Sequence, residues 1–241
     1  MTAPDSAMRS APGGRSRSGV TLIELMVVVG LMSVVLGLAV PAFSDWLGNQ
    51  RAKAAARSLA DLLLLARSEA IRTGNRYVVF FGNPGNTDAS GNPVEKDGAW
   101  VPVLLINDGP PVGSDCQIGA GEAFEAIAPV DEIWWGVSYA DAAVSTDSGA
   151  APFNPSPPPD WDGATFADPS NAKVNWLLFR PDGMPVGFSG AAGSCGTIGG
   201  VGSGGGAFYA TNGKRDFAVV VSPLGGVRLH VWNRSTGAWS G

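Results

Sequence analysis

The sequence predicts an α+β protein in which one long N-terminal helix packs on a β-rich domain. Residues 20–40 are almost entirely apolar, and apolar residues then recur every three or four positions as far as Ala70. Beyond Asn75 the pattern changes to short β-branched and aromatic runs separated by turn sequences. The 166 residues from Arg76 to Gly241 are enough for one domain that shares a core with the helix.

The N-terminus has the composition of a membrane-crossing segment behind a basic leader. Residues 1–19 carry three arginines and a single acid, Asp5. As a helix, the 21 residues 20–40 would span about 31 Å, which matches a hydrocarbon core of about 30 Å. The positive charge of the leader predicts a cytoplasmic N-terminus and export of everything after Val40.

One carboxylate, Glu24, interrupts the apolar segment. A charge at mid-bilayer costs about 2.5–3.5 kcal/mol, and less near an interface, so Glu24 is expected to have a cationic partner. Two simpler interpretations compete: a secretory signal peptide cleaved near Pro41, and a plain single-pass anchor. A signal peptide has an apolar core of only about 7–15 residues. Neither interpretation explains the presence of Glu24 in the apolar segment.

Residues 41–75 are expected to continue the helix with one buried face. Pro41 deletes a backbone hydrogen bond and is expected to kink the helix near the membrane surface. Gly74 supplies a C-terminal stop. Charged residues, Arg67 among them, are assigned mostly to the solvent side. The predicted buried face consists of Ala52, Ala55, Ala56, Leu59, Leu62, Leu63, Ala66 and Ala70.

The remaining segment, 76–241, is expected to form an exported β-domain with two loop insertions. The insertions are expected near 141–171, rich in Pro, Asp, Ser and Ala, and near 189–206, rich in Gly, Ser and Ala. Turn sequences such as Pro181-Asp182-Gly183 separate several of the runs predicted as strands. Strands are predicted at 77–81, 100–106, 133–139, 174–179, 217–221 and 227–232.

Two parts of the sequence resemble known protein families. Residues 18–26, SGVTLIELM, are similar to the cleavage-and-assembly signal of type IV pilins and of the pseudopilins of type II secretion systems. Residues 177–185, a predicted strand with a Pro-x-Gly turn, and residues 217–229, a predicted hairpin with a glycine turn, resemble the C-terminal pattern of GspH/FimT-type minor pseudopilins and minor pilins.

The resemblance implies processing and assembly by a dedicated machinery. A prepilin peptidase would cut after Gly19 and methylate the new amine of Val20, and Glu24 would form an assembly salt bridge with an N-terminal amine. The implied partners are other pilin or pseudopilin subunits, the peptidase and an inner-membrane assembly platform. The implied fold is pilin-like, with the long helix packed on an antiparallel two-sheet β-domain.

The implied function is that of a minor pseudopilin of a type II secretion system. Such a subunit is first a single-pass protein of the bacterial inner membrane with a periplasmic domain, and then a tip or initiation subunit of a short pseudopilus. A minor pilin of a type IV pilus, acting in assembly, twitching or DNA uptake, is the first alternative. A surface binding module, or an anchored periplasmic domain that never polymerises, is the second.

The sequence argues against nucleic acid as a partner. Relatives that bind DNA carry Gly-Arg-x-Arg in the final hairpin, whereas this chain has Gly225-Gly226-Val227-Arg228. Without residues 1–19 the chain has 13 basic and 20 acidic residues, a formal charge of −7. Binding to nucleic acid depends on neutralising phosphates, which an acidic chain does poorly. Arg228 is the candidate to test, as part of a local patch with Lys214, Arg215 and Arg234.

No catalytic or cofactor-binding pattern is found in the sequence. His230 is the single histidine and is expected to be structural, so neither a metal site nor a cofactor is predicted. Asp160 and Asp162 have the spacing of a calcium-loop start but lack the later glutamate, and calcium binding is left open. Cys116 and Cys195 lie on the exported side, where a disulfide is expected, with two unrelated thiols as the alternative.

Overall fold

The computed structural model describes residues 19–111, 113–155 and 163–241, with no side-chain description for 41–42. The predicted leader up to Ser18 and the acidic pair Asp160 and Asp162 lie outside the described residues. The chain divides into two compact units, Met1–Ser44 and Asp45–Gly241.

One helix, α1, accounts for the whole N-terminal part of the fold. It spans Leu22–Thr73, and the helix is not interrupted at Pro41. The kink expected at Pro41 stays a prediction. It ends where the sequence supplies a glycine: Gly74 has φ +71°, and its N–H donates to the carbonyl of Ala70 at 3.0 Å. A left-handed glycine after the last turn stops a helix without the steric cost that a side chain would add.

The second unit contains two five-stranded antiparallel sheets and a small hairpin. Sheet one has the order β5-β4-β1-β7-β8, and sheet two the order β12-β11-β10-β9-β6. β2 and β3 form a two-stranded sheet of their own. The strands are β1 (Arg76–Phe81), β2 (Glu95–Lys96), β3 (Ala99–Trp100), β4 (Val103–Asp108), β5 (Ala123–Ile127), β6 (Trp134–Trp135), β7 (Trp176–Phe179), β8 (Pro185–Val186), β9 (Gly206–Thr211), β10 (Asp216–Val221), β11 (Val227–Asn233) and β12 (Ala238–Ser240).

The C-terminal part of α1 and one face of each sheet form the main core. All eight residues of the predicted apolar stripe, from Ala52 to Ala70, are buried. Tyr77, Val79 and Phe81 of β1 and Phe217, Val219 and Val221 of β10 belong to the same cluster. The predicted α+β fold, a long helix packed on antiparallel sheets, is therefore confirmed.

The opposite face of each sheet is also buried, which explains why the strands are apolar throughout. Val78 and Phe80 of β1 pack in a second cluster, which includes Cys116, Phe188 and Cys195 from loops. Ala218 and Val220 of β10 pack in a third cluster with Val137 and Val144. Loops cover the outer faces, so a strand inside these sheets reads as a continuous apolar run instead of an alternating one.

The strand predictions succeeded for the long uninterrupted apolar runs and were less accurate elsewhere. The predicted runs 77–81, 217–221 and 227–232 correspond to β1, β10 and β11. The predicted strand 100–106 is divided between β3 and β4, and of 133–139 only β6 is extended. β5 and β9 were not predicted, although all six residues of β9 are buried. β9 begins at Gly206, which ends a glycine-rich run that hides the strand.

The two predicted insertions are irregular but packed. The described parts of 141–171 hold no strand, yet Ala151, Ala164 and Phe166 are buried. Between 189 and 205 the chain forms hydrogen-bonded turns, with an isolated bridge between Ala191 and Ser194. In the first segment Val144 and Phe153 cover the outer face of sheet two, whereas Ala164 and Phe166 join the main core. In the second segment Cys195 helps to cover the outer face of sheet one.

Candidate processing and assembly site

The start of α1 is fixed by a cap that the sequence interpretation missed. The Thr21 hydroxyl accepts the backbone N–H of Glu24 at 3.3 Å, and the N–H of Leu25 donates to the Thr21 carbonyl at 3.1 Å. Thr21 is thus the N-cap residue, and Thr-x-x-Glu is the signature of a capping box. That signature was visible in the sequence beside the predicted cleavage site.

The cap determines where the helix begins, and therefore where Glu24 lies relative to the predicted new N-terminus at Val20. Because helix begins at Leu22, Glu24 lies in the first turn of α1. Gly19 and Val20 precede the helix and are exposed, so the peptide bond between them is open to a protease. A carboxylate in the first turn also interacts favourably with the helix dipole, by about 0.3–1 kcal/mol. Glu24 therefore has a local role before any partner binds.

The apolar part of α1 is uncovered along its full length. Every residue from Val20 to Val40 is exposed, and the least exposed of the large side chains, Val28, still has 42% of its surface accessible. Within the described part of the chain, α1 is the one helix long and apolar enough to span a membrane. Burial of apolar surface contributes about 25 cal/mol per Å², so this helix requires lipid or other helices around it.

Comparison with known proteins agrees with this geometry. The prokaryotic N-terminal methylation motif matches residues 14–40, across the predicted cleavage site and the apolar segment. The family model of the type II transport protein GspH matches residues 55–225, most of the chain. The chain belongs to the GspH family.

Two curated proteins resemble this GspH-family chain over shorter stretches. The pilin-like protein PilA1 of Thermus thermophilus is 50% identical over 58 residues, which are 24% of this chain and 35% of PilA1. The type IV major fimbrial protein FimA of Dichelobacter nodosus is 32% identical over 96 residues, 34% of this chain and 59% of FimA. The chain thus spans between about a third and three fifths of these relatives. No solved structure matches it.

The structure separates Arg228 from the other basic residues of the C-terminal region. Arg228, on β11, lies opposite Val220 of β10 and lines a cavity of about 190 Å³ with Thr146 and Ser222. Lys214, Arg215 and Arg234 line a different cavity of about 520 Å³. Arg234 follows Arg228 by six residues, which is about 20 Å along an extended chain. The patch proposed from sequence therefore contains three residues and not Arg228.

Cys116 and Cys195 form the disulfide expected from the sequence, with Cα atoms 4.8 Å apart. Beside it, the buried Asp108 carboxylate pairs with Arg76 at 2.8 Å and accepts the Cys116 N–H at 2.7 Å. Burial raises the pKa of Asp108 in spite of these contacts. Asp108 and the two sulfurs lie close together, but disulfide sulfurs are not thiolates, so the group is not a metal site.

Proposed function

We propose that the protein is a minor pseudopilin of a type II secretion system. It enters the inner membrane with its N-terminus in the cytoplasm, is cut after Gly19, is methylated on Val20 and assembles into a periplasmic pseudopilus. The observation that carries the proposal is the uncovered apolar helix from Val20 to Val40 with one acid, Glu24, in its first turn. The family match to the type II transport protein supports secretion as the process served.

The mechanism assigned to Glu24 follows from electrostatics in an apolar environment. Two opposite charges 4 Å apart attract by about 1 kcal/mol in water and by about 4 kcal/mol at an effective dielectric constant near 20. A helix bundle excludes water, so a Val20 amine of the same or a neighbouring subunit would hold the Glu24 carboxylate tightly. In lipid the same carboxylate lacks the amine of a neighbouring subunit and is costly. Moving the helix from lipid into the filament is thereby favoured.

The disulfide supports export of the β-domain. Structural disulfides persist in oxidising compartments such as the bacterial periplasm and are rare in the cytosol. Cys116 and Cys195 both belong to the Asp45–Gly241 unit, on the C-terminal side of the apolar segment. This agrees with the orientation that the leader arginines predict. The role assigned to this domain is mechanical rather than catalytic.

A second candidate function, a minor pilin of a type IV pilus, is supported by the names of the curated relatives. One is a pilin-like protein and the other a type IV fimbrial protein. Both matches are partial, and the helix chemistry described above serves a pilus as well as a pseudopilus. The two functions differ in the process that fails when the subunit is missing.

The test is a clean deletion strain complemented in trans, with secreted hydrolase activity and surface piliation assayed side by side. Lost secretion with normal pili is the expected result. Lost piliation or twitching with normal secretion would assign the protein to a type IV pilus instead. Mass spectrometry of the membrane-extracted chain supplies the second readout: a mature N-terminus at methylated Val20 is expected. An intact leader would point to an anchored domain that never polymerises.

A further inference from the structure

We propose that the turn at 212–215 and its neighbours form a binding face for anionic lipid headgroups. We call it the basic–aromatic face and define it as Trp134, Tyr139, Lys214, Arg215 and Arg234. The inference rests on the proposed export of the β-domain from a membrane anchor, and it assigns to that domain a contact with the bilayer before assembly.

The five side chains are held together around Gly213. The Tyr139 hydroxyl donates to the Gly213 carbonyl at 3.0 Å, and a Cβ added at Gly213 would lie 3.7 Å from the Trp134 ring. The Arg234 guanidinium lies 3.5 Å from the centre of the Tyr139 ring. Lys214 and Arg215 follow Gly213 directly, and both line the 520 Å³ cavity with Arg234. The face is thus built by three separate parts of the chain.

The cations of this face stand out from an acidic domain. After Asn75 the chain has sixteen acidic residues and only eight basic ones, and three of those eight line this single cavity. Within the part of the chain that the structure describes, Lys214 pairs with Asp45, while neither Arg215 nor Arg234 is paired with a carboxylate. Asp216 is the acidic residue next to Arg215 in the sequence, and its carboxylate accepts hydrogen bonds from the backbone N–H groups of 138–140. Two guanidinium groups therefore stay available for an anion.

The face is tied to the stretch of α1 that follows the membrane segment. Lys214 bonds to Asp45, and Asn212 donates to Asn49 at 3.0 Å. Asp45 is five residues beyond Val40, so the chain allows at most about 18 Å between them even if fully extended. The covalent connection thus keeps the face near the bilayer surface for as long as residues 20–40 are in lipid.

The chemistry of the face matches that location. Trp and Tyr concentrate at membrane–water interfaces because their rings are apolar with one polar group. Trp134 and Tyr139 are 48% and 39% exposed, so both rings are accessible to a bilayer surface. Basic residues close to an anionic leaflet are attracted to it, and the attraction decays within a Debye length. Phosphate headgroups fit the cavity of Arg215 and Arg234, whose guanidinium groups bind phosphate in two-pronged geometry.

The test uses the full chain in lipid nanodiscs, made of phosphatidylcholine alone or of an equal mixture with phosphatidylglycerol. Hydrogen exchange is followed at the backbone amides of 212–215 and 233–236. In anionic discs at low salt these amides are expected to exchange slower by on the order of tenfold than in neutral discs, and high salt should abolish the difference. Equal exchange in the two discs would overturn the proposal.

Charge-matched variants test whether the protection depends on the basic–aromatic face or only on the net charge of the domain. The double variant Arg215→Gln, Arg234→Gln is expected to lose the protection, and Arg180→Gln, Arg228→Gln, with the same net charge change, is expected to keep it. Thermal unfolding checks that both fold. If the loss of the Arg234–Tyr139 contact unfolds the first, Arg215→Gln alone serves, because Arg215 is exposed and outside the core clusters. Full protection in the Arg215 variants would contradict the proposal.

Two further outcomes identify where a failure lies. A short DNA duplex added to neutral discs is expected to leave the turns unprotected. If the duplex protects them while anionic lipid does not, the face binds nucleic acid and the lipid proposal is wrong. A chain that does not co-purify with the discs overturns the membrane anchoring together with this inference, whereas an inserted chain with unprotected turns overturns this inference alone.

Discussion

Arg67, on α1, donates a hydrogen bond of 2.8 Å from its Nη1 atom to the carbonyl oxygen of Gly225, 158 residues further along the chain. The same guanidinium lies beside Gly183: a Cβ added there would be 3.3 Å from Arg67 Nε and 2.6 Å from Ile71 Cδ1. One helical arginine thus packs against the two glycine turns of the C-terminal sequence pattern. The assignment of Arg67 to the solvent side was wrong because a long side chain can bury its stem and reach a partner with its head.

Replacing Arg67 with alanine is therefore expected to destabilise the fold. A hydrogen bond from a charged donor contributes about 1.5–3 kcal/mol, and the Gly225 carbonyl would lose this donor. Urea unfolding of the full chain in detergent should show a loss of about 2 kcal/mol. The matched control is Arg57→Ala on the exposed side of the same helix, and an equal effect of the two variants would refute the role of Arg67.

Loss of the Glu24 charge is expected to block assembly but not processing. Removing one partner of a buried ion pair costs about 3–5 kcal/mol, so incorporation of Glu24→Gln or Glu24→Val into filaments should fall by at least on the order of a hundredfold. Sheared-filament fractions and the mass of the mature chain measure the two steps. Thr21→Val loses the helix cap but keeps the acid, and it should assemble far better than either Glu24 variant. Normal incorporation of Glu24→Gln would disprove the salt bridge.

The Cys116–Cys195 bridge is expected to be a major source of stability. It closes a loop of 79 residues, for which the chain-entropy model gives about 4.5 kcal/mol. The double variant Cys116→Ser, Cys195→Ser should therefore unfold at a markedly lower temperature than the wild-type chain. Reductant should lower the unfolding temperature of the wild type and leave the double variant unchanged. If reductant leaves the unfolding temperature of the wild type unchanged, the disulfide is not a major source of stability.

Asp216→Asn is expected to loosen the cover of sheet two. The buried carboxylate of Asp216 accepts the backbone N–H groups of Ser138, Tyr139 and Ala140 at 2.7–2.9 Å. An amide of the same size presents an NH₂ group to donors that need an acceptor, which should cost about 3 kcal/mol. Hydrogen exchange of 137–144 reports the local effect. Asp182→Asn, at an exposed turn, is the control, and equal exchange in the two variants would contradict this role.

Glu122 is expected to make stability depend on pH. Burial is the main cause of its raised pKa, and the Asp115 and Asp108 carboxylates add to the shift. The folded state therefore keeps a proton that the unfolded state has already lost, so stability falls as pH rises through the window above 4.5. Glu122→Gln should lose less stability than the wild type between acidic and neutral pH. Glu125→Gln, an exposed neighbour, should follow the wild type, and parallel curves for all three proteins would exclude Glu122 as the cause.

Several features that depend on local pattern were predicted from the sequence alone. The apolar segment 20–40, the eight residues of the buried stripe and the helix end at Gly74 follow from periodicity and glycine chemistry, which act within a few residues. The disulfide was predicted because both cysteines of the sequence lie on the side expected to be exported to an oxidising compartment. Even the Thr21 cap was encoded locally by Thr-x-x-Glu.

Tertiary structure alone decided the features that depend on which segments meet. β9 is a strand because β10 and β6 pair with it, although its own sequence begins in a glycine run. The irregular loops are fixed because both outer sheet faces need apolar cover. The folded domain places Arg228 at a different cavity from the other three basic residues of this region. Packing of the helix against the turns of the β-domain brings Arg67 to Gly225. Side-chain partners far apart in the chain are set by the packing of the whole domain, which periodicity does not record.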